Sequence, residues 1–409
     1  MGPWTVSLQK LLIWGPAGLA AAASVGLTIL LLQLIRVFNL APRLSNSAKP
    51  LVEGSLTVVV PAYNEAANIG PCLASVLAST PPCPTWSVLM VDDGSSDATA
   101  WLASATVAAA QVPPERFALL RAGPRPSHER WVGKNWPCTQ AMEQMVCSTW
   151  VLFIDADVRL QPQTLVRALG QAEREQADLL SLAPRLQCGC LAEWMVQPIM
   201  ASLLGLGFPI EEANDPSSPV AFAAGPFMLF RRSAYEAIGG HRALAATVVE
   251  DLALARAIKA GGYRLRYLLG LDAAELRMYS DLAFLWEGWT KNWLLGLDGS
   301  VSRALGAAAV VALMFSAPWL IAPAAAIATA LSWADAPMRV PMLLAAGLGL
   351  LAIGLQLGLR LWTRRQFQVP LKHWWLMGAG GLIVAAIGPT SVWRTLTGRG
   401  WTWRGRPLA

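Results

Sequence analysis

Three stretches of this chain end in the same way. "SLTVVVPAYNE", "WSVLMVDDGSSD" and "TWVLFIDADV" each carry an unbroken apolar, β-branched run into a polar or acidic cluster. A strand with one wet face alternates apolar with polar residues, whereas a strand covered on both faces does not. Between these runs, "NIGPCLASVLAS" and "SDATAWLASATVAAAQ" read as helices, the first with Asn64 or Asn68 and the second with Ser96 or Asp97 as the capping residue. Buried strands alternating with helices define an α/β fold, a mostly parallel sheet with helices on both faces. Ligands of such sheets bind beyond the carboxyl ends of the strands. All three polar clusters fall there.

Residues two apart in extended backbone point to one side, so Asp155 and Asp157 concentrate negative charge. Hard cations such as Mg²⁺ or Mn²⁺ take such oxygen ligands and share them with phosphates. An Asp-rich turn is the plainer alternative. Asp92 stands where a carboxylate accepts a base N–H or a ribose hydroxyl, or where a turn through Gly94 simply caps a helix. Tyr63 has the face to stack on a base and Glu65 the carboxylate to bond a sugar hydroxyl. The helix start that follows favours phosphate. In "HERWVGKNWPC", Lys134 suits a diphosphate or an acceptor, against the alternative of a surface lysine, and Trp131 and Trp136 suit an apolar approach. Each stretch alone reads equally well as a cap or turn; three in this order do not.

The chain is 55% hydrophobic and 14% charged, where soluble domains carry about 25% charged residues. A membrane protein with room for one or two domains follows. The stretch from Trp14 to Ile35 contains no charge; about twenty such residues cross a bilayer, and a signal peptide's apolar core is shorter. It reads as a retained anchor. Arg36, Arg43 and Lys49 follow it, against Lys10 before it, which puts the next domain in the cytoplasm. Beyond Asp281, "FLWEGWTKNWLLGL" reads as an interfacial helix, and Gly306–Trp333 and Val340–Leu359 as spans. Gly378, Gly380, Gly381 and Pro389 interrupt the run Trp374–Val392. Arg360, Arg364, Arg365 and Lys372 make the preceding loop cytoplasmic, and a further full crossing would send the basic tail outward. A re-entrant or interfacial hairpin is therefore expected there. The apolar stretch Leu191–Asp215 reads either as a lip touching the bilayer or as a core helix. The net charge of +6 suits an anionic membrane surface better than nucleic acid, for which no motif is present. The six cysteines, Cys147 among them, lack zinc-site spacing.

The ordered set "VVVPAYNE", "VDDGSSD" and "FIDADV" resembles the family 2 glycosyltransferases with the GT-A fold, over roughly Ser55 to Asp281. The resemblance implies that Ala62, Tyr63 and Glu65 line a nucleoside pocket and that Asp92 holds uracil or an equivalent base. It also implies that Asp155 touches ribose and metal, and that Asp157 binds the metal bridging the diphosphate. "GPFMLFRRSAYEAIGG" resembles the acceptor-side strand and helix, and "VVEDLALARAIKAGGYRL" the segment that supplies the base, Asp251 with Glu250 beside it; a helix N-cap is the alternative for Asp251. An inverting transfer needs such a base to take the acceptor hydroxyl proton.

The layout implied is an anchor over residues 1–48, a GT-A catalytic domain over 49–281, an interfacial segment over 282–305 and a membrane region over 306–409. It is similar to bacterial carotenoid- and hopanoid-associated glycosyltransferases. The Gln-x-x-Arg-Trp motif of processive synthases is missing; Trp289, Lys291 and Asn292 are expected to replace part of it near the leaving diphosphate. The terminal Trp403-Arg404-Gly405-Arg406 reads either as returning to the site or as binding anionic lipid, the second being preferred. The function implied is a membrane-bound inverting transfer from a nucleoside-diphosphate sugar, a UDP-sugar, to a hydroxyl of a lipophilic acceptor such as a carotenoid or hopanoid. Mg²⁺ or Mn²⁺ would assist, at the cytoplasmic face of the cell membrane, among membrane lipids and without nucleic acid. The rivals are a processive polysaccharide synthase and an inactive membrane scaffold; nearly charge-free C-terminal runs speak against the first and unbroken acidic motifs against the second.

Overall fold

A computed structural model describes all residues except 1, 2, 48, 50–52, 145–147, 332, 334, 335, 400, 401, 404, 405, 408 and 409. Cys147, Arg404 and Gly405 from the sequence reading lie outside the described residues. The strands in chain order are β1 (Ser55–Ala62), β2 (Thr85–Asp92), β3 (Phe117–Arg121), β4 (Trp150–Ile154), β5 (Val158–Leu160) and β6 (Leu179–Ala183). They continue with β7 (Arg185–Leu186), β8 (Phe227–Arg231), β9 (Leu265–Leu269), β10 (Ala274–Leu276), β11 (Thr402–Trp403) and β12 (Arg406–Pro407).

The main sheet has the order β3-β2-β1-β4-β8-β6-β9. β1 runs parallel to β2 and β4, β2 parallel to β3 and β6 parallel to β9, while β8 is antiparallel to β4 and β6. Ala62 pairs with Asp92, so the tips of β1 and β2 are level. A smaller sheet, β5-β10-β7, and the β11–β12 pair complete the set. The unbroken apolar runs have the physical reason given above. Val58 and Val60 join Ile69, Leu73, Ala103 and Leu165 in one buried cluster, under helices Ile69–Leu77, Thr99–Ala109 and Thr164–Arg174. Val59 and Phe153 join Ala141, Tyr235 and Leu254 in a second, under helices Asn135–Gln144, Arg232–Ala237 and Glu250–Ala260. Burying one such side chain stabilises by roughly 1.5–3 kcal/mol, and both faces of the strands collect it. This is the mixed, mostly parallel sheet with helices on both faces expected from the sequence.

The chain forms two compact units: residues 1–36, 188–207 and 279–399 in one, residues 37–187, 208–278 and 400–409 in the other. The sheets belong to the second. The first is helical, and its segments Leu12–Leu40, Val301–Leu331, Pro337–Phe367 and Trp374–Leu396 are long and apolar enough to cross a membrane. Within Val301–Leu331 a π-helical stretch, Ala312–Ser316, interrupts the α-helix. The helix Leu191–Gly207 also belongs to this unit, where Gln197 Oε1 accepts the Trp289 indole N–H at 2.9 Å.

The run expected to form a hairpin instead makes one continuous helix, Met377–Leu396. Its glycines are contact points rather than breaks. A Cβ on Gly381 would lie 2.7 Å from Phe315 Cβ, and one on Gly388 would lie 2.7 Å from Ala308 Cβ. Gly380 is closer still to the Met195 carbonyl oxygen. Composition identified the missing side chains, but not the neighbours that need them missing.

Candidate active site

The loops that follow β1 and β2 are stitched together. Asn64 takes a positive φ of 53°; its backbone N–H donates to Ser95 Oγ and its Oδ1 accepts the Ser96 N–H at 2.9 Å. The Glu65 N–H donates to Thr99 Oγ1 and the Ala66 N–H to Asp97 Oδ2. The N-cap of the helix Thr99–Ala109 is Ala98, not the expected Ser96 or Asp97, although Asp97 Oδ1 accepts the Thr99 N–H at 3.0 Å. Asn68 holds the N-cap position of its helix without a side-chain cap bond; its Nδ2 donates to Glu65 Oε2 at 3.0 Å. Ala62 is buried in the sheet, and its carbonyl accepts the Asp93 N–H.

Beside these loops lies a cavity of about 490 Å³, lined by Asp92, Asp93, Gly94, Arg121, Gly123, Pro124, Arg125 and Arg406. Asp92 is buried and accepts the Ser95 N–H at 3.2 Å. Its neighbour Asp93 draws in two arginines: Arg125 Nη2 and Arg406 Nη1 each lie 2.5 Å from Asp93 Oδ2. Arg406 Nη2 also donates to the Asp93 carbonyl at 2.8 Å, and its guanidinium carbon sits 3.8 Å above the Tyr63 ring. Burial pushes the Asp93 carboxyl up from its ordinary range, and the two guanidiniums oppose that shift. Asp93 and Arg125 were not singled out by the sequence as site residues. Arg406, for which the sequence prefers the lipid reading over the site, lines the cavity; a partner 313 residues away in the chain leaves no local signal to decide between them.

A second cluster gathers Lys134, Asp155, Glu250 and Asp251. Lys134 Nζ lies 2.5 Å from Asp155 Oδ1, 3.3 Å from Glu250 Oε1 and 3.3 Å from the Gly225 carbonyl oxygen. Burial alone would pull its ammonium down; Asp155 and then Glu250 overrule it and hold Lys134 well above its ordinary value, firmly cationic. It is no surface lysine. Asp251 lies in the first turn of the helix Glu250–Ala260, whose N-cap is Val249, so it is not the N-cap the sequence offered as the alternative: Oδ1 accepts the Leu252 N–H at 2.8 Å and Oδ2 the Gly225 N–H at 3.1 Å. A Cβ on residue 225 would sit 2.9 Å from Asp251 Oδ2, so only glycine leaves this approach open. Burial first, and the Glu250 charge second, push the Asp251 carboxyl up to about 6, with Lys134 opposing. His241 is buried, its Nδ1 2.6 Å from the Tyr235 hydroxyl; burial, then the Lys134 charge, lowers it to about 3, so it stays neutral.

Asp157 stands in the turn between β4 and β5. Burial raises the Cys72 thiol above its ordinary value; Arg159 opposes the shift, and Asp157, Glu65 and Asp155 add to it. Among the described residues no group of three or more His, Cys, Asp or Glu side chains could hold a metal alone. Two neighbouring carboxylates fit a hard divalent ion that completes its shell with phosphate and water oxygens. Trp289, Lys291 and Asn292 lie on the helix Leu282–Gly296 of the helical unit, with Trp289 buried.

Residues 57–239 match the sequence profile of glycosyl transferase family 2. The 4,4'-diaponeurosporenoate glycosyltransferase of Staphylococcus aureus (strain MRSA252) is 26% identical over 264 residues, which is 63% of this chain and 65% of that protein. The matched part of this chain thus spans just under two thirds of that relative's length. A mannosyltransferase from Pyrobaculum calidifontis, solved with GDP-Man and Mn²⁺, aligns over 94% of this chain and 99% of its own, with 16% identity and a TM-score of 0.49. Glucosyl-3-phosphoglycerate synthase from Mycobacterium tuberculosis aligns over 61% and 82%, with 16% identity and a TM-score of 0.40. The acidic strand tips fall within the profile match.

Proposed function

We propose that the chain is a membrane-bound inverting glycosyltransferase that moves a sugar from a nucleoside diphosphate to a hydroxyl of a lipophilic acceptor. The observation that carries this reading is Asp251: a buried carboxyl at about 6, fixed by the Gly225 N–H, within reach of the Lys134–Asp155 pair through shared neighbours. A general base works best with a pKa close to the working pH. At neutral pH Asp251 is mostly ionised and still basic enough to take a hydroxyl proton. Lys134 places a fixed cation among carboxylates at the strand tips, where negative charge of a departing diphosphate would be stabilised without reorganisation. Asp92 would accept from the base or ribose, and Glu65 and Tyr63 would bound the nucleoside. A divalent ion, Mg²⁺ or Mn²⁺, held by Asp157 and Asp155, would supply Lewis-acid stabilisation of the leaving group.

The candidate spans support a membrane acceptor, and the staphylococcal relative's name supports an acceptor like the diaponeurosporenoate it names. The basic flanks support a cytoplasmic catalytic side. The test uses the full chain in detergent with UDP-, GDP- and ADP-sugars, Mg²⁺ or Mn²⁺ and an apolar alcohol extract, reading nucleoside diphosphate release. Metal-dependent release that Asp157→Ala removes supports the reading. No release from any donor, by folded wild-type protein, overturns it and favours an inactive scaffold.

A further inference from the structure

The tail beyond the helical unit contributes a side chain to the cavity. Arg406 lies on β12, outside the stretch that matches the family profile. Three of its contacts are made with the loops after β1 and β2: Nη1 with the Asp93 carboxylate at 2.5 Å, Nη2 with the Asp93 carbonyl at 2.8 Å, and the guanidinium over Tyr63 at 3.8 Å. Such an arrangement leaves Arg406 little freedom, since a carboxylate, a carbonyl and an aromatic face hold it from different sides. With Arg406 in place, the cavity still measures about 490 Å³. Ligand pockets run from about 300 to 1,000 Å³, so the side chain walls the space rather than filling it. Arg121, Arg125 and Arg406 outnumber Asp92 and Asp93 among the charged groups of the lining. The balance is positive and suits an anionic ligand with a planar ring, which a guanidinium face also receives well.

We infer that Arg406, delivered by the C-terminal β-pair, is a donor-binding residue: its guanidinium forms one wall of the nucleotide pocket and meets the base or the diphosphate of a nucleoside diphosphate. The inference rests on the reading of this site as a sugar-nucleotide site and adds a residue from the opposite end of the chain. Asp93 then acts as a positioning residue, holding Arg406 and Arg125 together on one carboxylate. A free salt bridge between the tail and the domain would do neither.

Binding of UDP, GDP and ADP to the full chain in detergent, by calorimetry with Mg²⁺ present, tests this. Arg406→Ala should weaken the preferred diphosphate at least tenfold, Arg406→Lys should recover part of the loss, and the melting temperature without nucleotide should stay within a few degrees. In turnover, the donor KM should rise with kcat within about threefold. Asp92→Ala serves as the internal control for the pocket. Unchanged affinity in Arg406→Ala, with Asp92→Ala impaired, overturns the role of Arg406 and leaves the site standing. Tighter binding in Arg406→Ala also overturns it, by making the side chain an obstacle. If wild-type protein binds none of the three diphosphates, the sugar-nucleotide reading itself falls.

Discussion

Asp251 carries the sharpest consequences at the scale of single residues. Its carboxyl is pushed up to about 6, so the base is lost as pH falls through that value. The rate should drop about tenfold per pH unit below it, and Asp251→Asn should cost 10²- to 10⁴-fold in kcat while leaving diphosphate affinity intact. The same shift has a stability counterpart. A carboxyl raised in the folded state favours folding below its unfolded value of 3.8, and that contribution is gone once pH exceeds about 6. At pH 8 the ionised, buried group therefore costs about 3 kcal/mol, and Asp251→Asn should melt at a higher temperature than wild type, with the difference vanishing toward pH 4. Lys134 lowers the Asp251 value; Lys134→Met should accordingly move the acid limb of the pH–rate profile to higher pH. Gly225→Ala should cut activity at least tenfold without abolishing expression, because the new Cβ enters the space of Asp251 Oδ2. Of this site the sequence revealed the acidic tips, since strand ends and carboxylates are written locally. It was silent on Asp93, which follows Asp92 and differs from it only in what it meets.

Secondary-structure elements divide the legible from the illegible in a similar way. Buried parallel strands announce themselves by missing alternation, as Val58, Val59 and Val60 show, because each residue finds an apolar partner whichever face it takes. The helix Met377–Leu396 was misread because glycine has two uses, as a break and as a place for a neighbour, and only the neighbour distinguishes them. Phe315, Ala308 and the Met195 carbonyl are those neighbours. Gly388→Ala and Gly381→Ala should each lower stability in detergent by about 1–3 kcal/mol, the usual cost of overfilling a packed contact, read as a fall in melting temperature. Were these positions true breaks in the chain, alanine would instead strengthen the helix by up to about 1 kcal/mol.

For the molecule as a whole, the bond between Arg406 and Asp93 fixes a count. Groups that share a hydrogen bond share a side of the bilayer, so the polypeptide joining them traverses it an even number of times. Three candidate spans, Val301–Leu331, Pro337–Phe367 and Trp374–Leu396, lie between those two residues. Parity admits none or two of them as crossings. Reporters placed within residues 122–126 and after residue 409 should accordingly respond from one compartment.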